Sequence, residues 1–180
     1  MAAVADSTKL TRFETAVMPH FDAAYNLARW LTHSVHDADD VVQEAYLRAF
    51  TFFDSFHGGD GRGWLLSIVR NTCFTWLRKN RAQELMTEFD ETFHSAAVQS
   101  PNPETLQLRR VDAEILREGL NKLPAEFREV LVLRELEDLS YKEIAGITGV
   151  ALGTVMSRLS RARRRLHECL AVSAGQESRT

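Results

Sequence analysis

Apolar residues along this chain recur at three- and four-residue steps, and no stretch alternates with the period of two that a strand requires. Phe13, Val17, Phe21, Ala24, Tyr25 and Ala28 form one such stripe. Val41, Val42, Ala45, Ala49 and Phe53 form a second, with Asp37 placed to cap the helix that carries it. His57 to Gly63 holds four glycines in seven residues and predicts a loop. A third helix is predicted from about Trp64 to Arg81, with Leu65, Ile68, Val69, Thr72 and Trp76 on its buried face. These three helices make a first compact unit over 1–85.

A break follows. Gln99-Ser-Pro-Asn-Pro103 carries two prolines two residues apart, which stop any helix and suit an extended, flexible linker over 86–108. Periodicity resumes at Leu108, Val111, Ile115 and Leu116. Pro124 can serve as the first residue of another helix, whose stripe is Phe127, Val130, Leu131 and Leu136. The fold class predicted is therefore all-α, with two small helical domains joined by a tether. The second occupies 109–172, and a disordered tail over 173–180 follows.

Ser140-Tyr-Lys-Glu143 reads as a capping box that opens a helix. Ala145 is small enough for a second helix to pass close by, and Gly149 suits a turn that needs positive φ. Ile144, Val150, Val155 and Leu159 would hold the two helices together. The second begins near Leu152 and turns Met156, Ser157, Ser160 and Arg161 outward. This is a helix-turn-helix, a shape whose second helix enters a major groove.

Charge supports that reading only when taken by segment. The net charge is −3, which does not advertise nucleic-acid binding. Met156 to Leu166 nevertheless holds five arginines, Arg158, Arg161, Arg163, Arg164 and Arg165, and no acid. Ala82 to Leu108 holds five acids, Glu84, Glu88, Asp90, Glu91 and Glu104, and no Lys or Arg. The chain is 180 residues long with 44% hydrophobic residues, enough for a core, and its apolar runs are too short for a bilayer. The first ten residues lack the pattern of a secretory signal, so a cytoplasmic location is expected. Cys73 and Cys169 stand far apart without metal-ligand companions. His33 and His36 could chelate, but with no third ligand they read as loop residues. No phosphate loop, metal set or nucleophile with a supporting base is present, so neither enzyme activity nor a cofactor is expected.

The residues already named carry a family resemblance. Leu123-Pro-Ala-Glu-Phe-Arg-Glu-Val-Leu-Val-Leu-Arg-Glu135, Leu139-Ser-Tyr-Lys-Glu-Ile-Ala145 and Gly153-Thr-Val-Met-Ser-Arg-Leu-Ser-Arg-Ala-Arg163 look like region 4 of bacterial extracytoplasmic-function (ECF) sigma factors of the sigma-70 family. Asp37-Ala-Asp-Asp-Val-Val-Gln-Glu-Ala-Tyr-Leu-Arg-Ala-Phe50 resembles region 2.2. Trp64-Leu-Leu-Ser-Ile-Val-Arg-Asn71 with Trp76-Leu-Arg-Lys79 resembles regions 2.3 and 2.4.

The resemblance implies a sigma region 2 bundle and a sigma region 4 helix-turn-helix that together direct core RNA polymerase to promoters. It implies binding to the polymerase beta-prime coiled coil and beta flap, with Asp39, Asp40, Gln43, Glu44 and Arg48 as the polar contacts of region 2.2. It places Arg62, Trp64, Arg70, Asn71, Arg78 and Lys79 on the −10 element, with Arg81 adding charge. Trp64 and Trp76 also have a plain reading as core residues. It places Met156, Ser157, Arg158, Ser160, Arg161, Arg163 and Arg164 on the −35 element, Arg161 being the first choice for base readout. Many relatives carry Lys or Arg where Met156 stands. Control by an anti-sigma factor is implied as well, and the acidic linker would thread the polymerase interior. The alternative is a stand-alone helix-turn-helix regulator, which would have no use for the Asp39–Phe50 and Trp64–Lys79 segments together. Whether the two free domains separate or pack together is not decided by the sequence.

Overall fold

The computed structural model describes residues 2–84 and 115–177, with side chains over 8–80 and 115–171. The predicted linker, with its Gln99–Pro103 break and acids beyond Glu84, lies outside the described residues, as do Leu108 and Val111. Everything described is helix, turn or loop, so the chain is all-α among those residues. The elements are α1 (Ala2–Val17), α2 (Phe21–Thr32), α3 (Val35–Phe52), α4 (Gly61–Glu84), α5 over 115–121, α6 (Ala125–Leu131), α7 (Tyr141–Thr148) and α8 (Leu152–Glu177).

The first stripe spans two helices rather than one. Pro19 cannot continue α1, and a 3-10 turn at Met18–His20 redirects the chain. Phe13, Val17, Ala24 and Ala28 are buried, whereas Phe21 is exposed. The cap of α3 is Ser34 rather than Asp37: the Ser34 hydroxyl accepts from the Asp37 N–H at 3.3 Å. Val41, Val42, Ala45, Ala49 and Phe53 are buried as the spacing predicts.

The glycine-rich segment is shorter as a loop than expected, because α4 already begins at Gly61. Asp60 caps it, its Oδ1 accepting from the Gly63 N–H at 3.0 Å. Gly58 and Gly59 take positive φ. Gly61 is a matter of space, since a Cβ there would run into the Ala16 carbonyl oxygen of α1. The first half is thus four helices, with Leu65, Leu66, Val69 and Cys73 of α4 closing a core made by α1, α2 and α3. Burial pushes the Cys73 thiol up to about 12, so it is an inert core group.

In the second half Pro124 stands just before α6 rather than as its first residue. Phe127, Val130 and Leu131 are buried, but Leu136 is exposed. The periodicity fails there because α6 widens into a π-helical turn, Val132–Leu136, which shifts the register by part of a turn. α6 and α7 pack on α8 around Leu133, Ile144, Val155, Leu159 and Ala162. The halves do not stand apart: α4 packs against α7, and α2 against α6.

Two substitutions test these local constraints. Gly61→Ala forces α1 and α4 apart and is expected to destabilise the chain by about 1–3 kcal/mol. Ser140→Ala removes the cap of α7 and is expected to cost about 1 kcal/mol. Both are read from urea unfolding monitored by circular dichroism.

Candidate nucleic-acid interface

The helix-turn-helix forms as its sequence dictates. The Ser140 N–H donates to Glu143 Oε2 at 2.7 Å, and the Ser140 hydroxyl accepts from the Glu143 N–H at 3.3 Å. The Ser140 hydroxyl, and then its N–H, hold the Glu143 carboxyl below its usual range. Gly149 ends α7 in the left-handed region at φ 70°. The Ala151 carbonyl then accepts from Thr154 and Val155, starting α8. Val155, Leu159 and Ala162 face inward, while Met156, Ser157, Ser160 and Arg161 lie exposed on the opposite side.

The five arginines of α8 do not form a uniform stripe. Arg163 donates to Glu135 at 2.6 Å, which raises its pKa further. Arg164 approaches Glu168 at 3.8 Å, and Arg165 lies over the Phe127 ring at 5.0 Å. Arg158 turns inward and donates to Glu129 at 3.1 Å. Arg161 alone of the five is exposed without an ion pair or ring contact among the described residues.

On α4, Asn71, Arg78 and Lys79 are exposed, whereas Arg62, Trp64 and Arg70 are half-buried. Trp64 packs edge-on to Phe53 and tilted on Phe56, with centroids 6.1 and 5.0 Å away. Trp76 likewise leans on the core. Asn71 accepts from the neighbouring Arg70 at 3.2 Å. On α3, Asp39, Asp40, Gln43 and Glu44 are exposed, and Arg48 donates to Glu44 at 2.7 Å. Leu47, off the buried stripe of α3, is 67% exposed beside them. Its wrong phase for the core was the available signal that it belongs to this outer surface.

The residues that tie these sets together were not singled out by sequence. Glu129 of α6 is fully buried, yet its carboxylate accepts from Arg70 Nε at 2.8 Å and from Arg158 Nη1. Burial raises its pKa, and the Arg70 hydrogen bond and the charges of Arg70 and Arg158 oppose that shift. Glu137, just past the π turn, accepts from Arg62 at 2.6 Å and from Asn26 at 3.2 Å. The Glu137 carbonyl accepts from Arg62 as well, at 2.9 Å.

Arg128 caps two helices at once. It donates to the Leu120 and Leu123 carbonyls at 2.9 and 2.6 Å, and to the Trp30 carbonyl of α2 at 2.8 Å. Burial lowers its pKa to about 10, which leaves it charged at neutral pH. His33, in the left-handed region at φ 65°, sits between Arg128 and Asn121. Burial, then the Arg128 charge, lower its pKa, and the Asn121 hydrogen bond opposes that shift; because a guanidinium can only donate, the ring nitrogen facing Arg128 is the accepting one. Glu129 carried no sequence signal, because an acid beside an apolar stripe usually faces water.

No group of three or more His, Cys, Asp or Glu among the described residues is placed to hold a metal ion. No helix among them is long and apolar enough to cross a membrane.

Comparison with known proteins agrees with this geometry. Residues 16–83 match the family model for Sigma-70 region 2, and residues 113–166 match that for Sigma-70, region 4. The chain is 34% identical over 179 residues to the ECF RNA polymerase sigma factor SigE of Mycolicibacterium smegmatis, covering 99% of this chain and 69% of the relative. It is 38% identical over 134 residues to the ECF RNA polymerase sigma-E factor of Escherichia coli, covering 71% of this chain and 70% of the relative. Among solved structures it superposes on the sigma factor RpoE of Bartonella quintana, in complex with the anti-sigma factor NepR. That match has a TM-score of 0.73 at 32% identity and covers 89% of this chain and 98% of the other. CnrH in complex with the cytosolic domain of CnrY matches with a TM-score of 0.62 at 29% identity, over 95% of each chain. With both region models in order and a relative matched along nearly the whole chain, this protein belongs to the sigma-70 family as an ECF sigma factor.

Proposed function

We propose that this chain binds core RNA polymerase and directs it to promoters, reading the −10 element with its first half and the −35 element with its second. It acts in the bacterial cytoplasm, catalyses no reaction itself and is held in check by an anti-sigma factor. Residues 1–85 serve as the region 2 unit, 109–172 as the region 4 unit, and 86–108 as the acidic linker between them. The observation that carries this reading is the exposed outer face of α8, Met156, Ser157, Ser160 and Arg161, presented by a capped helix-turn-helix. Such a face fits a major groove, where the first turns of the recognition helix meet base edges.

Arg161 is the residue best placed for base readout, because no ion pair competes for its guanidinium. Arg163 and Arg164 sit further along the helix for phosphates, and Arg158 joins them once released from Glu129. For the −10 element, Asn71, Arg78 and Lys79 are already accessible, while Arg62 and Arg70 require release. Trp64 supports the loop and Phe56 from within. Asp39, Asp40, Gln43, Glu44 and Arg48, with the exposed Leu47 added, form the polymerase-facing surface of α3.

Run-off transcription with core polymerase on promoters recovered by sequencing DNA bound in cells tests the whole reading. Transcripts are expected only when the chain is added, and their absence refutes it. Arg161→Ala is expected to weaken −35 recognition by about 1–3 kcal/mol, read as loss of discrimination between cognate and mutated −35 sequences. Asp40→Arg is expected to abolish transcription by preventing holoenzyme assembly in gel filtration with core polymerase. Normal assembly by that variant removes α3 from the docking role.

A further inference from the structure

The outer face of α8 mixes two chemistries. Ser160 and Arg161 offer hydrogen-bond donors to a groove, while Ser157 already donates to the Thr154 carbonyl at 3.0 Å. Leu152 and Met156 offer neither donor nor strong acceptor. They are 49% and 52% exposed, the two large hydrophobic residues of α8 that stand so open among its described side chains. Neither packs on the core, although Val150, Val155, Leu159 and Leu166 around them all do. Four residues apart, they share one face of the helix and lie one turn from each other. Gly153 beside them adds no side chain, and a Cβ there would meet nothing within 4 Å. Glycine weakens a helix, yet nothing in the fold requires it at this position. A bare start to α8 lets the floor of a groove come close to the backbone.

We infer that Met156, with Leu152 one turn before it, reads the 5-methyl group of a thymine in the −35 element. This rests on the −35 role proposed above and names the base chemistry that α8 recognises. In the major groove every base edge offers donors or acceptors, and thymine alone adds a methyl group. A thioether chain pressed against the polar edges would displace their water and return no strong hydrogen bond. Against a methyl group nothing polar is lost, and both apolar surfaces leave water together. Methionine is unbranched, so its side chain adapts to where the methyl group lies. Met156 is the fifth residue of α8, within the first turns where a recognition helix meets base edges. Arg161, further along, keeps its guanidinium for a base that accepts hydrogen bonds. The same face therefore carries an apolar reader beside a charged one. A polymerase surface is the competing occupant of this patch, and the experiment separates the two.

Holoenzyme made with the full chain is titrated onto promoter duplexes recovered by sequencing DNA bound in cells. Each −35 thymine, on either strand, is replaced singly by uracil, which removes the methyl group and leaves base pairing unchanged. At one position the replacement is expected to weaken binding about threefold to fivefold, the effect of burying one methyl group. A cytosine at that position is expected to weaken binding as well, and 5-methylcytosine to recover about threefold of the loss. Met156→Ala is expected to bind the thymine duplex about threefold to fivefold more weakly and to lose the difference between thymine and uracil there. Its assembly with core polymerase in gel filtration is expected to match the wild type.

Uracil without effect at every −35 thymine overturns the methyl contact, whatever the variant does. So does a Met156→Ala chain that keeps the wild-type penalty for uracil, because the methyl group then rests against another side chain. Impaired assembly of Met156→Ala with core polymerase, together with a flat uracil series, assigns the patch to polymerase instead. Should Met156→Ala fail to fold, the uracil and 5-methylcytosine series on the wild-type chain still decides. A holoenzyme that prefers the recovered promoters no more than scrambled DNA overturns the proposed function and the thymine contact together. A preference that survives every replacement leaves that function standing and removes only the contact.

Discussion

One buried carboxylate organises this molecule. Glu129 has no exposure to solvent, so its charge depends wholly on the guanidinium groups of Arg70 and Arg158. Removing both partners from such a site would leave an uncompensated buried charge, an effect of about 3–5 kcal/mol. The two partners come from opposite halves of the chain. The requirement to neutralise one atom group therefore fixes α4 against α6 and α8 and places Arg62 beside Glu137. Arg128 extends the same logic to α2, where its charge satisfies carbonyls at the ends of two helices.

Much of this architecture was legible in the amino-acid sequence where local rules govern it. The buried positions of α3 and α8, the capping box at Ser140 and Glu143, and the left-handed Gly149 follow from periodicity and turn chemistry. Local rules also explain the departures. Pro19 divides a stripe that looked continuous, and Ser34 rather than Asp37 caps α3, three residues ahead of it. A π turn takes Leu136 out of phase with α6. The site was legible by residue type more than by state. Arg62, Arg70 and Arg158 were read as cations for DNA, but their carboxylate partners lie 75, 59 and 29 residues away. Pairings over such separations leave no periodic trace.

The arginine cluster of α8 shows why a charge run is not yet a surface. Five arginines in eleven residues look equivalent in the sequence. The helix distributes them around its axis, and four find what their direction offers: Glu129 within, Glu135 and Glu168 alongside, and the Phe127 ring beneath. Arg161 projects with Met156, Ser157 and Ser160 from the first turns, where a recognition helix meets bases. Position along and around α8 thus separates one arginine without an ion pair or ring contact among the described residues from four whose charge is shared with the protein.

The contact between the halves is polar at its centre, with Arg70 on Glu129 and Arg62 on Glu137. A guanidinium offers a carboxylate a planar fork of donors, so such pairs fix orientation as well as distance. Glu129 differs from its partners in how much depends on it. Arg70 and Arg158 are each partly exposed and can turn to water, whereas the carboxylate between them is buried. Losing either arginine leaves Glu129 one partner, but losing the carboxylate leaves two guanidiniums facing each other. A substitution at Glu129 should therefore cost more stability than one at either arginine alone.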